Sequence, residues 1–267
     1  MRMYICVYMY ICIYVYILYN PPSICYNNIG DNMTKYIASC SFGKDSLAML
    51  IKIKELGMPL DEVIYADIKF DDNISGETPE MASFISKAEK ILKEKFDIVV
   101  THISGVTFKE QFYKTKKRGK YVGDIYGFPY PLNSWCNRRL KILPIEKYLN
   151  KQKEDIMQYV GIAYDEPKRY ERLNHDTHIA PLYDLKITEA DAMEICKKYD
   201  LVSPVYESST RGGCWFCTKQ RMGQLRWLYK THPELFKLLK DMEKDSHNTF
   251  FRWHTLDKLE ERFKNED

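Results

Sequence analysis

The sequence carries no excess of charge of either sign: 40 Lys and Arg stand against 37 Asp and Glu, a formal net charge of +3. That balance does not by itself mark a nucleic-acid binder. Past residue 33 there are no internal repeats and no low-complexity linkers, which excludes a repeat array or a beads-on-a-string layout. The GxxxxGK[ST] pattern of a Walker A loop is also missing. What is present is ordinary for a soluble globular chain: 267 residues, 45% apolar and 29% charged, enough for one large domain or two small ones. Two counts stand out, 21 Tyr and 8 Cys, and seven of those tyrosines and three of those cysteines fall in the first 32 residues.

From Met1 to Ile17 the odd positions hold only Met, Ile or Val, and the even ones only Tyr or Cys besides Arg2. As a strand the run is unusually long and apolar on both faces. As a membrane segment, Met3–Tyr19 reaches only the short limit of about 17 residues. As a signal peptide it lacks a clear small-residue cleavage site. An alternating pyrimidine–purine DNA tract, however, encodes Tyr, Cys, His or Arg in one codon phase and Ile, Met, Val, Thr or Ala in the other. Residues 1–17 obey that rule throughout. Residues 1–32 are therefore expected to be a non-structural or artefactual leader, with the working chain starting at Met33 and no membrane association.

Beyond the leader, strands alternate with helices. Lys35–Cys40 reads as a buried strand, followed by a turn at Ser41–Ser46 and a helix over Leu47–Leu56 closed by Gly57. Further strands are predicted at Glu62–Ala66, Asp97–Ile103 and Ile156–Ala163, with helices at Pro79–Lys95 and near Ile145–Lys153. Alternation of this kind argues for an α/β fold on a largely parallel sheet. After Pro181 the pattern turns helical, at Thr188–Tyr199, Lys219–Lys230, Pro233–Lys244 and Leu256–Lys264. The expected division is an α/β domain over 33–180 and a helical C-terminal subdomain over 181–267.

A strand ending in Ser-Phe-Gly-Lys-Asp-Ser before a helix is suited to phosphate. Ser41 and Ser46 offer hydroxyls, Gly43 lets an anion approach the backbone, and the helix N-terminus presents amide donors. Lys44 adds a mobile charge, and Asp45 can orient a metal ion or cap the helix. An ordinary β-turn-α connection uses the same residue types. The loop resembles the SGGxDS loop of the PP-loop ATP pyrophosphatases, the adenine nucleotide α-hydrolase (HUP-like) group, with Phe42 in place of the first Gly. Asp67 and the Gly76-Glu77-Thr78 stretch resemble the D-T-G…E-T segment of that group's phosphoadenylyl-sulfate (PAPS) reductase-like branch. Ile68-Lys69 departs from it, and Thr78 equally suits a helix cap before Pro79. Tyr159–Arg169 is similar to the same branch's G-I-x-x-D-E-x-x-R. There Gly161 permits close approach, Arg169 suits phosphate oxygens, and Asp165 and Glu166 are acid/base or metal candidates, or members of a polar loop.

Five cysteines remain past the leader. Cys40 and Cys196 read as core packing. Cys214 and Cys217 form a CxxC after a Gly-Gly turn, and Cys136 is flanked by Arg138, Arg139 and Lys141, a setting expected to lower its pKa. The arrangement resembles iron–sulfur adenylyl-sulfate reductases, with Trp135 in place of the first Cys of their pair. With three cysteines it resembles PP-loop tRNA thiolases that hold a 4Fe-4S cluster with one open iron. A three-Cys Zn²⁺ site and a redox disulfide are the rival readings. His175 and His178 read as polar-loop residues. Sulfonucleotide reductases carry a nucleophilic cysteine in a C-terminal E-C-G-[IL]-H tail. Here the last cysteine is Cys217, so that activity is not expected.

The resemblance implies a cytoplasmic enzyme that cleaves ATP at its α-phosphate with Mg²⁺ in support. Ser41–Ser46, Asp67, Gly161 and Arg169 would hold the nucleotide, Lys44, Asp45 and Asp165 would serve catalysis, and Cys136, Cys214 and Cys217 would hold a cluster or zinc. The implied reaction adenylates an acceptor and then transfers sulfur to it. The basic run Lys114–Lys120 and Arg138–Lys141 either contact a nucleic-acid acceptor or form solvated loops. A non-catalytic, zinc-stabilised nucleotide-binding module is the alternative. The residues name neither the sulfur donor nor the oligomeric state.

Overall fold

Short Val- and Ile-rich runs bounded by turn residues form the strands, and these pair side by side. A computed structural model describes residues 34–119, 121–130, 134–208 and 212–266; the leader lies outside them. In chain order come β1 (Thr34–Cys40), α1 (Lys44–Glu55), β2 (Glu62–Ala66), α2 (Pro79–Phe96), β3 (Val100–Ile103) and α3 (Phe108–Tyr113). A π-helical turn at Asn137–Ile142 runs directly into α4 (Leu143–Leu149). Then follow β4 (Asp155–Tyr159), β5 (His178–Ile179), α5 (Glu189–Lys198), α6 (Met222–Thr231), α7 (Pro233–Asp245) and α8 (Leu256–Asn265), with short helical turns between them.

The strand order is β3-β2-β1-β4-β5, and β1 with β2, β2 with β3, and β4 with β5 all pair in parallel. This is the expected α/β, parallel-sheet nucleotide-binding architecture with a helical C-terminal region. Because β1 connects outward in one direction and β4 lies on its other side, the order reverses between them. In open parallel sheets such a switch point leaves a crevice at the strands' carboxyl ends. The segments after β1 and β4 both flank it.

Helix α1 is apolar almost all round, with Leu47–Ile51 and Ile53 buried, so it sits inside the main core with α2 and α5 packed about it. Ile37, Ile64, Ile103 and Leu149 form a smaller cluster that brings α4 onto the sheet. A second core is rich in aromatics: Phe70, Phe108, Phe112, Phe128, Trp215 and Phe216 join helices α6–α8. The two cores interleave across residue 180, since α5 belongs to the first while Phe70 and Phe108 belong to the second. Lys35–Asp267 form one compact unit. No described helix is long and apolar enough to cross a membrane.

Some element ends differ from expectation. The third strand begins at Val100, not Asp97, because Asp97 takes a left-handed backbone (φ 49°) that ends α2, and Ile98 N–H then donates to Leu92 O. The fourth stops at Tyr159, where the chain turns toward Gly161. Strand β5 lies in a stretch expected to be polar loop; its two residues pair with Gln158 and Tyr159.

Candidate active site

The loop Ser41–Gly43 joins the buried end of β1 to the N-terminus of α1 at the switch point. Ser46, nearly buried, staples it. Its Oγ accepts from Ser41 N–H (3.1 Å), lies 3.2 Å from Ser41 Oγ and donates to Gly43 O (3.0 Å). Its hydroxyl therefore shapes the loop, while Ser41 is exposed. Phe42, standing where the resembled loop has glycine, adopts the left-handed backbone itself (φ 54°) and buries its ring completely, edge-on to Tyr65 at 5.0 Å. Two thiols support the loop from below. Phe42 N–H donates to Cys40 Sγ (3.4 Å), and Cys196 Sγ donates to Lys44 O (3.3 Å). Burial pushes Cys40 up to about 11 and Cys196 up to about 12, so both stay protonated packing groups.

Lys44 is the electrostatic centre. Its side chain is 11% exposed, and Nζ lies 2.6 Å from Glu189 Oε2 and 3.2 Å from Asp45 Oδ2. Burial lowers its pKa, but the bond to Glu189 and the charge of Asp45 more than offset this, and the net shift is upward. Asp45 shifts up as well, from burial against the opposing effect of Lys44, with Glu189 and Glu166 adding repulsion. Its second oxygen, Oδ1, is buried without a partner. A buried, unpaired carboxylate oxygen beside a helix N-terminus is suited to a divalent cation shared with a phosphate, so Asp45 fits Mg²⁺.

Two residues here were not legible as site residues. Glu189 is the first residue of α5, whose N-terminus Thr188 and Asp191 cap. Tyr206 hangs over the loop, where its hydroxyl accepts the Lys44 N–H (3.0 Å), the donor a phosphate would use. The sequence gives no signal for either. Asp165 accepts from Glu189 N–H (3.0 Å), which makes it a positioning residue for Glu189 in this arrangement. Arg169 is exposed and paired with Glu166 (2.6 Å). Asp67, at the end of β2, accepts from Ser104 Oγ (3.3 Å). Thr78 caps α2 by accepting from Met81 N–H (3.4 Å).

Gly161 lets the strand end approach the α1 N-terminus. A Cβ there would come within 3.0 Å of Asp45 C and Ser46 N, backbone atoms that cannot rotate away. Gly161→Ala is therefore expected to cost about 1–3 kcal/mol, read as a lower urea midpoint. An unchanged midpoint would show that the loop yields freely.

The three remaining thiols gather past the end of β2. Trp215, buried between Cys214 and Cys217, donates its backbone N–H to Gly76 O (3.0 Å) and its indole N–H to Ser75 O (2.8 Å), pinning the CxxC to this segment. Cys136 opens the π-helical turn, a feature common at functional sites. Burial raises the Cys214 pKa, as do the charges of Glu77 and the other two thiols; Lys141 opposes them. The expectation for Cys136 is corrected. Its pKa is raised, by burial first and then by Cys217, against weaker help from Asn137 N–H, Lys219 and Lys141. Of the basic residues beside it in sequence, Lys141 acts on it weakly, while Arg138 is exposed and pairs with Glu146 (2.5 Å). Trp135, in place of a cysteine, stacks on Phe108 at 5.3 Å.

All five described cysteines are free. Among the described residues, no three His, Cys, Asp or Glu side chains stand close enough to hold an ion as placed. The donor chemistry fits a soft metal, with three neighbouring thiols and Glu77 beside Cys214, but the spacing is not closed. Two histidines have acidic partners, His102 with Glu89 (2.5 Å) and His232 with Glu80 (2.9 Å).

Among curated proteins, the chain is 25% identical over 210 residues to an uncharacterized protein of Methanocaldococcus jannaschii, covering 74% of this chain and 39% of that one. It is 27% identical over 124 residues to an uncharacterized nin region protein of Escherichia phage lambda, covering 46% and 41%. The chain thus spans about two fifths of the length of these relatives. A solved structure of a U34-tRNA thiolase from Methanococcus maripaludis, with its 4Fe-4S cluster, matches at 18% identity and a TM-score of 0.40, over 88% of this chain and 72% of that one. A sequence model of the phosphoadenosine phosphosulfate reductase domain matches residues 35–220, and with the loop after β1 and the glycine after β4 in place, the chain belongs to that family.

Proposed function

We propose that this family member cleaves ATP at the α-phosphate, adenylates an acceptor and serves sulfur transfer to it in the cytoplasm. The observation that carries this reading is the switch-point geometry. The N-terminus of α1, the Lys44 ammonium and the unpartnered Asp45 Oδ1 stand together at the point where the strand order reverses. The β- and γ-phosphates would lie on Ser41–Ser46, displacing the Tyr206 hydroxyl from Lys44 N–H. An acceptor oxygen attacks the α-phosphorus, the bond to the bridging oxygen breaks, and pyrophosphate leaves. Lys44 and the helix amides neutralise charge on that leaving group. A sulfur nucleophile then displaces AMP from the adenylated acceptor. Asp165 would hold Glu189 against Lys44, and Asp67, Gly161 and Arg169 would border the nucleotide. Mg²⁺, held by Asp45, would screen the phosphate charge.

Cys136, Cys214 and Cys217 would hold an iron–sulfur cluster or Zn²⁺, a soft site for a sulfur species. Anaerobic purification with iron and zinc analysis tests this. Cys214→Ser is expected to release the bound metal, and equal metal in both proteins would remove the cysteines from the reading. ATP–pyrophosphate exchange tests adenylation. Absence of exchange with every added nucleic acid would leave a nucleotide-binding module instead.

A further inference from the structure

A second pocket, of about 570 Å³, opens beyond the end of β3, between the loop at Ser104–Val106 and the segment from the π-helical turn to α4. Lys114, Arg139, Lys147 and Lys151 line it, and no carboxylate does. None of the four makes an ion pair among the described residues. The nearest acids in sequence are occupied, Glu110 by the Thr107 cap, Glu146 by Arg138 and Glu154 by Lys153 N–H. Gln111 also lines the pocket, is 2% exposed, and its Nε2 has no hydrogen-bond partner. A buried amide donor without an acceptor, below four unneutralised cations, is a vacant acceptor position for an anion. The wall is tightly built: a Cβ at Gly105 would meet Pro144 Cγ at 2.4 Å.

We propose that this pocket binds the phosphodiester backbone of a nucleic acid, with Gln111 and the four cations contacting phosphate oxygens. Two features favour a strand over a lone phosphate. The cations sit on two separate segments, Lys114 after α3 and the other three from the π-helical turn through α4 to Lys151, so that backbone phosphates spaced along a strand can each find one. The basic run also continues outward from Lys114 through the exposed Lys117 and Arg118. The site rests on the proposed adenylating role only for what is done to the bound strand.

The test is fluorescence anisotropy of short labelled RNA and DNA oligonucleotides across a salt series, without ATP. The two arms identify which polynucleotide binds. Lys147→Glu with Lys151→Glu is expected to weaken binding by about tenfold or more and to flatten the log–log salt slope by about 2. Gln111→Leu is expected to weaken binding by a smaller factor while raising the melting temperature, because it removes an unsatisfied buried donor. Unchanged affinity and slope in the double variant would overturn the proposal. So would displacement of the oligonucleotide by inorganic phosphate as effectively as by unlabelled strand, which would assign a small phosphate ligand. Failure of the unaltered protein to exchange pyrophosphate would end the adenylating role and leave this binding result standing.

Discussion

Lys44→Met should reduce ATP–pyrophosphate exchange by about 10²–10³-fold, the range found when a single preorganised charge stabiliser is removed from a transition state. The ammonium lies 2.6 Å from Glu189 and 3.2 Å from Asp45, and among the described residues no other cation pairs with either. Its upward pKa shift keeps it charged through neutral pH. Without it, two carboxylates face an incoming triphosphate with only the helix amides and the Mg²⁺ on Asp45 to offset them. The stability cost should be smaller, about 1 kcal/mol, because the Glu189 partner is close to half exposed and screened by water. Asp165→Ala separates positioning from chemistry. Among the described residues Asp165 is linked to the loop through Glu189 N–H, so its loss should act mainly on the KM for ATP and by about tenfold at most. An Asp165→Ala defect in kcat as deep as that of Lys44→Met would make Asp165 the acid/base group and overturn this division of roles.

The nucleotide-binding half was legible because its signals are local. Apolar runs bounded by Gly57 and the Ser41–Ser46 turn define β1, α1 and β2 within a few residues, and Glu62–Ala66 is a strand end to end. What was not legible depends on contacts across the chain. Glu189 lies 145 residues from Lys44, and Tyr206 lies 162 residues away. No pattern near either announces the meeting. The Cys136 error has the same origin, since Arg138 pairs with Glu146 and Lys141 helps only weakly, while burial and Cys217 come from distant segments. Strand β5 is too short for any period to show, and it exists because β4 offers it an edge. The π-helical turn at Asn137–Ile142 is marked by a hydrogen bond from Leu143 N–H to Arg138 O, a register choice that the residue types do not encode.

Phe42 is where local preference and tertiary packing oppose each other most directly, and the expected result is an inverted mutational order. Phe42→Ala removes a completely buried ring, including its edge contact with Tyr65, and should cost about 3–5 kcal/mol. Phe42→Gly removes the same ring. At an ordinary position glycine would be worse than alanine by about 0.5–1 kcal/mol, through unfolded-state entropy. At φ 54°, however, alanine keeps a Cβ clash worth about 1–2 kcal/mol that glycine relieves. The Gly variant should therefore be at least as stable as the Ala variant, although both fall well below the natural protein. In this loop the ring's burial outweighs the backbone strain, which explains how a phenylalanine holds a turn that the resembled loops give to glycine. Denaturant midpoints of the three proteins decide it. An Ala variant more stable than the Gly variant by about 1 kcal/mol would mean that the turn at Phe42 carries no strain for the ring to offset.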